Sequence, residues 1–207
     1  MSFLRDNLPL LKEFWRMRMG KTMRFSFLFF IASVSFGAVL YLTDPETTNT
    51  ILDEFNRMVQ EAGVIDENGS ISVFVLLQNN WIAMVTTILF GFIPLMLLPA
   101  LSLFSNGVLL GILAGMYSVE ESLGLGLFLA GILPHGIFEI PALLISSACG
   151  IYLCCNATRV MLRRNPMPMV PLIGDLLRVL LLVIAPLTVA AAWVECYVTP
   201  IFMSMFM

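Results

Sequence analysis

"SLGLGLFLAGILPHGIFEIPALLISSACGIYLCC", residues 122–155, is the stretch whose reading decides the fold. It contains the chain's only histidine, His135, and a glutamate, Glu139, bracketed by Pro134 and Pro141. As one continuous helix it would be about 50 Å long, against a bilayer hydrocarbon core of about 30 Å. It must therefore tilt strongly, kink or fold back. Proline disfavours helical geometry at Leu133 and Ile140 and removes a backbone donor each time, and Gly136 adds local freedom. This pattern predicts a helix that stops near Pro134 and restarts with Pro141 in its first turn. The break, over residues 133–141, would be a kink or a re-entrant loop. Glu139 would then lie by a positive half-helix end and His135 by a negative one. Broken helices at membrane depth persist only where protein or a water-filled cavity surrounds the exposed backbone, and transporters use them to bind ions.

The rest of the chain places this run in a membrane. Of 207 residues, 59% are hydrophobic and 12% charged, with a mean hydropathy of +0.92. That composition excludes an ordinary soluble domain and defines an all-α polytopic membrane protein. The first apolar run begins only after Arg24 and has no small-residue cleavage site, so it reads as a retained span rather than a signal peptide. Residues 1–24 carry Arg5, Lys12, Arg16, Arg18, Lys21 and Arg24, with Leu4, Leu8, Leu11 and Trp15 at helical spacing. They predict an amphipathic helix on the cytoplasmic membrane surface. Residues 25–207 form the transmembrane domain, with span 1 near residues 25–42.

The segment 44–70 is acidic, with Asp44, Glu46, Asp53, Glu54, Glu61, Asp66 and Glu67 against the single Arg57. It is expected outside the membrane, as a surface helix or cap bearing Ile51, Phe55, Met58 and Val59 on one face. Gly63 would end that helix and "DENG" would turn. Span 2 (about 71–91) and span 3 (about 95–117) follow, and Glu120 and Glu121 lie at the outer side. The loop 156–170 carries Arg159, Arg163 and Arg164 and reads as cytoplasmic. An odd number of crossings must therefore separate Glu121 from Arg159. A last span, about 172–200, has Glu195, Trp193 and Tyr197 near its outer end. The expected topology has about five spans, with the N-terminus cytoplasmic and the C-terminus outside.

Asn79 and Asn80 lie midway along span 2, Asn106 midway along span 3 and Glu139 midway along the 122–155 run. Together with His135 they predict a polar layer at the membrane midplane. An ionisable group there costs about 2.5–3.5 kcal/mol on insertion scales and should face inward. Such a layer either stitches helices together by hydrogen bonds or binds an ion or polar solute. His135 and Glu139 alone are too few ligands for a catalytic zinc site. Ser146 and Ser147 have no base beside them. No catalytic residue, metal site or cofactor is assigned. Gly107, Gly111 and Gly115 repeat every four residues and predict close helix packing, against the broken helix in preference to a dimer seam. Cys149, Cys154, Cys155 and Cys196 show no metal spacing and read as packing residues. No dinucleotide, Walker or nucleic-acid-binding pattern is present.

Three motifs, "QNNWIAM" at 78–84, "SNGVLLGILAG" at 105–115 and "LPHGIFEIPALLISSACGIYL" at 133–153, resemble the stage II sporulation protein M family. The resemblance implies a membrane protein that helps organise an envelope complex whose partners carry the hydrolase activity. It carries over the positions Asn79, Asn80, Asn106, Gly107, Pro134, His135, Gly136, Glu139 and Pro141, and no chemistry. The sporulation motif lacks the His and Glu present here, which leaves room for a site. The first expectation is a non-enzymatic scaffold in a prokaryotic cytoplasmic membrane, homo-oligomeric, with envelope protein partners. The alternatives are a channel or transporter for a cation, proton or polar solute, and an intramembrane metal-dependent hydrolase.

Overall fold

A computed structural model describes residues 2–61, 72–119 and 124–206, with side chains from residue 5 on. The expected turn at 66–69, the helix end at Gly63, the pair Glu120 and Glu121, and the side chain of Leu4 lie outside the described residues. Those described form helices joined by short connections: α1 (Ser2–Phe14), α2 (Gly20–Thr43), α3 (Pro45–Glu61), α4 (Val73–Leu89), α5 (Leu98–Val119), α6 (Gly124–Met161), α7 (Met169–Val179), α8 (Ala185–Tyr197) and α9 (Thr199–Met203). Five helical stretches are long and apolar enough to cross a membrane: Arg5–Thr43, Val73–Phe92, Leu98–Val119, Gly124–Met161 and Met169–Tyr197. Phe27, Leu28, Ile31 and Val39 of α2 and Leu181 and Val189 of the last span are exposed. Lipid tails solvate such apolar faces, so helix association here rests on van der Waals packing and hydrogen bonds instead.

The predicted stop and restart in α6, and with it a re-entrant loop, is absent: the helix runs through Pro134 and Pro141 without interruption for 38 residues. Each proline removes the donor to the carbonyl four residues earlier, at Ala130 and Ile137. A spanning helix tolerates that loss where neighbouring helices surround it, and α6 is the central helix of the bundle. Its residues from Ala142 to Ile151 are all buried. At 1.5 Å per residue α6 is about 57 Å long, so it overhangs a hydrocarbon core of about 30 Å.

The expected separate interfacial helix also differs. A π-helical turn, Trp15–Met19, carries α1 directly into α2. Leu8 and Trp15 are exposed, whereas Phe14 is 4% exposed and Met19 fully buried. The Phe14 ring meets Tyr152 of α6 edge-on at 5.9 Å, and Asn7 Oδ1 accepts from Arg178 Nε of α7 at 2.8 Å. Part of the amphipathic face is thus satisfied by protein. These contacts gather Arg18, Arg159 and Arg178 at one end of the bundle, referred to below as the basic end.

The glycines of α5 pack on α2, not on α6. A methyl group at Gly111 would lie 2.0 Å from the carbonyl oxygen of Val34, and one at Gly107 2.6 Å from Ser33 Cβ. The fit is reciprocal, because a methyl group at Gly37 would lie 2.1 Å from the Val108 carbonyl oxygen. Ser33, Gly37 and Ala38 make α2 the small-residue partner that α5 requires. On the other side of α6, Gly150 meets the Thr87 carbonyl and Pro99, and Gly91 meets Gly150.

At the basic end Asn156, 3% exposed, clamps the connection to α7. Its Nδ2 donates to the Met167 carbonyl at 3.0 Å and its Oδ1 accepts from Met167 N at 2.8 Å. Cys149 and Cys154 are buried as expected of packing residues, but Cys155 is exposed.

Candidate polar site between the fourth and fifth spans

Helix continuity through Pro134 keeps His135 and Glu139 one turn apart on the same face of α6. The imidazole Nε2 lies 3.7 Å from Glu139 Oε2. Glu195 of α8 closes the group: the ligand atoms of His135, Glu139 and Glu195 all lie within 4.8 Å of one another. On its other edge the imidazole Nδ1 lies 3.3 Å from the Thr199 hydroxyl. Glu195 and Thr199 are themselves four residues apart, and Val198 N donates to the Val194 carbonyl at 2.8 Å to keep the chain helical between them. Two pairs at helical spacing, His135 with Glu139 and Glu195 with Thr199, therefore face each other across α6 and the end of α8.

Packing holds this arrangement in place. The Phe206 ring sits over Gly126, where a methyl group would lie 2.8 Å away, and Met203 covers Gly131. The segment after α8 thus docks back on the beginning of α6. Thr199 is 6% exposed, the His135 side chain 14% and the Glu139 side chain 34%, so the site is walled on the α8 side and open at Glu139.

Of the asparagines, Asn106 lies away from this group. Ser146 Oγ meets Met84 Sδ at 3.1 Å, which sets Asn79 and Asn80 of α4 opposite about residues 141 and 142 of α6. Glu139 is then less than one turn, and His135 about two turns, from that level toward the end opposite the basic one. Thr87 and Ser102 hydroxyls meet at 2.9 Å, which sets Asn106 opposite Ala83 and roughly 15 Å along α6 from His135. Asn106 is exposed and donates to the Ser102 carbonyl of its own helix at 2.9 Å. Asn79 and Asn80 are half-buried, and Asn80 Nδ2 is buried without a hydrogen-bond partner among the described residues. Gly136 is buried, and a methyl group there would meet only Ile132 and Ile140 side chains at 3.4 and 3.6 Å. Ser146 Oγ donates to the Ala142 carbonyl at 2.7 Å, three turns from His135, so the two do not form a nucleophile–base pair.

Sequence reasoning placed Glu195 at the outer end of the last span without joining it to the motif. An available signal was the second pair at helical spacing, Glu195 and Thr199, inside an apolar span.

An all-helical bundle of five spanning helices, with a His/Glu/Glu group between the fourth and fifth, defines a polytopic integral membrane protein. The chain matches the family described as stage II sporulation protein M over residues 26–200. It belongs to that family. It is similar to an uncharacterized protein of Methanocaldococcus jannaschii, 37% identical over 126 residues that cover 60% of this chain and 69% of that protein. No solved structure matches it.

Proposed function

We propose that this chain is a non-enzymatic scaffold that assembles a cell-envelope complex in a prokaryotic cytoplasmic membrane. In this reading the basic end, with Arg16, Arg18, Arg159, Arg163 and Arg164, faces the cytoplasm, and α3 and the C-terminus face outward. The observation that carries the reading is α3. It leaves the end of the first span through Asp44, which caps it by accepting from Thr47 N at 3.1 Å and from the Thr47 hydroxyl at 2.7 Å. Its apolar residues Ile51, Leu52, Phe55 and Val59 are only half-buried, and Met58 is 53% exposed. Asp53, Glu54 and Glu61 stand exposed around them. An amphipathic helix held outside the bundle and incompletely covered by its own chain suits a protein partner. A second copy of the chain is expected on the exposed spans.

The test is recovery of the envelope partner by cross-linking to the full-length chain in its native membrane. Replacing Phe55 and Met58 by serine should abolish the cross-link while leaving the unfolding midpoint in detergent near that of wild type. Recovery of the same partner at wild-type yield would refute the scaffold.

A further inference from the structure

His135, Glu139 and Glu195 pose a charge problem that the described residues do not solve. Both carboxylates lie on apolar spanning helices, and among the described residues no Lys or Arg ion pair reaches them. The described ion pairs of Arg57 and Arg178 are with Glu54, Glu61 and Asp175. Two carboxylates held within 4.8 Å of each other cannot both remain ionised in a low-dielectric setting without a neutralising partner. The imidazole is the wrong length for a direct hydrogen bond to Glu139, since 3.7 Å exceeds the usual donor–acceptor distance of about 3 Å. A group that sits between these atoms resolves both difficulties.

We propose that His135, Glu139 and Glu195 bind a divalent first-row transition cation, with Thr199 orienting the imidazole. Two carboxylates and a neutral imidazole balance a 2+ charge, so the loaded site is electrically neutral within the bundle. The donor set of nitrogen and carboxylate oxygen suits Zn²⁺, Co²⁺, Fe²⁺ or Mn²⁺. Bonds of about 2.0–2.2 Å would bring tetrahedral ligands to about 3.4 Å from one another. When Nδ1–H donates to the Thr199 hydroxyl, Nε2 presents its lone pair to the ion, which is how a second partner fixes a ligand histidine. Three protein ligands leave a fourth position for water. The ion ties the far end of α8 to α6, in the way that bundle metal sites use paired residues at helical spacing from facing helices. This site stands independently of the scaffold reading.

The experiment uses the full-length chain in detergent, freed of any affinity tag and stripped with chelator, titrated with Co²⁺ and with Zn²⁺. The expected result is one ion per chain, with a Co²⁺ spectrum of nitrogen and oxygen ligation. His135→Gln and Glu195→Gln should lose that binding. Thr199→Val, which keeps all three ligands, should weaken it on the order of tenfold. Asn106→Ala, outside the site, should bind as wild type does. Where His135→Gln fails to fold, His135→Cys replaces it: a thiolate ligand must add a sulfur-to-cobalt charge-transfer band. No stoichiometric binding by wild type, unchanged binding in the ligand variants, or no new band in His135→Cys would each overturn the site. So would a stability that responds to pH but not to Zn²⁺ or Co²⁺, since protons would then be what neutralises the carboxylates.

Discussion

Adding one methyl group at Gly111 tests the packing of the bundle at its tightest point. The methyl carbon would lie 2.0 Å from the Val34 carbonyl oxygen and 2.8 Å from Ala38 N. These are backbone atoms, so no side-chain rotation relieves the overlap. Ordinary contact begins near 3.4 Å, so α2 and α5 must separate locally by about 1.4 Å, and a gap of 0.5–1 Å already forfeits a quarter to a half of the dispersion well. Overpacking of this kind costs about 1–3 kcal/mol or more. Alanine returns about 1 kcal/mol of helix propensity. Taking the upper part of the overpacking range, Gly111→Ala should lose about 2 kcal/mol net. Gly136→Ala is the matched control: its methyl group would meet only flexible isoleucine side chains at 3.4 Å or more. It should be neutral or gain up to about 1 kcal/mol. Equilibrium unfolding in mixed detergent micelles measures both. A Gly111→Ala variant as stable as wild type, or a Gly136→Ala variant that is the weaker of the two, would refute the reasoning.

Two further predictions concern the ends of the bundle. Asn156→Ala removes both bonds to the Met167 backbone and leaves its N–H and carbonyl unpaired, which should cost about 2 kcal/mol in the same unfolding assay. Asn156→Asp, which keeps the acceptor and loses the donor, should fall between it and wild type. At the other end, hydrogen bonds from the Thr47 hydroxyl and then the Thr47 backbone N–H hold the Asp44 carboxyl below its usual range. Its folded-state value being depressed, the cap is at full strength above the ordinary aspartate range and is lost as pH falls through the lowered one. Amide exchange in the first turn of α3 should therefore accelerate on acidification, and Asp44→Asn should remove that pH dependence while keeping the cap.

Much of this architecture is legible from the chain because lipid imposes few alternatives. Long uncharged runs have to be spanning helices, and the basic residues before the first span and after α6 mark one end of the bundle. The continuity of α6 was not legible. Proline propensity argues locally for a break at 134 and 141, but the surrounding helices let α6 continue, and only tertiary packing reveals that. The glycine stripe of α5 announced a close contact, while its partner lay in Ser33, Gly37 and Ala38, a pattern easily passed over within "SVSFGA". His135 and Glu139 stood out as charges in an apolar run. Glu195 did not, because joining residues 56 positions apart requires knowing how far along each helix the neighbour sits. Asn156 was hidden for a similar reason: its role is a clamp on backbone atoms, which leave no mark in side-chain patterning.

The central claim is that one uninterrupted α6 carries His135 and Glu139 to Glu195. It is tested most directly by the distance between spin labels at the exposed positions Leu125 and Val160, with the native cysteines replaced. A continuous helix predicts about 52 Å from its 35 intervening rises. A distance near 20 Å, from arms of about 14 and 29 Å lying side by side, would mean that the chain folds back at the prolines and would contradict the account.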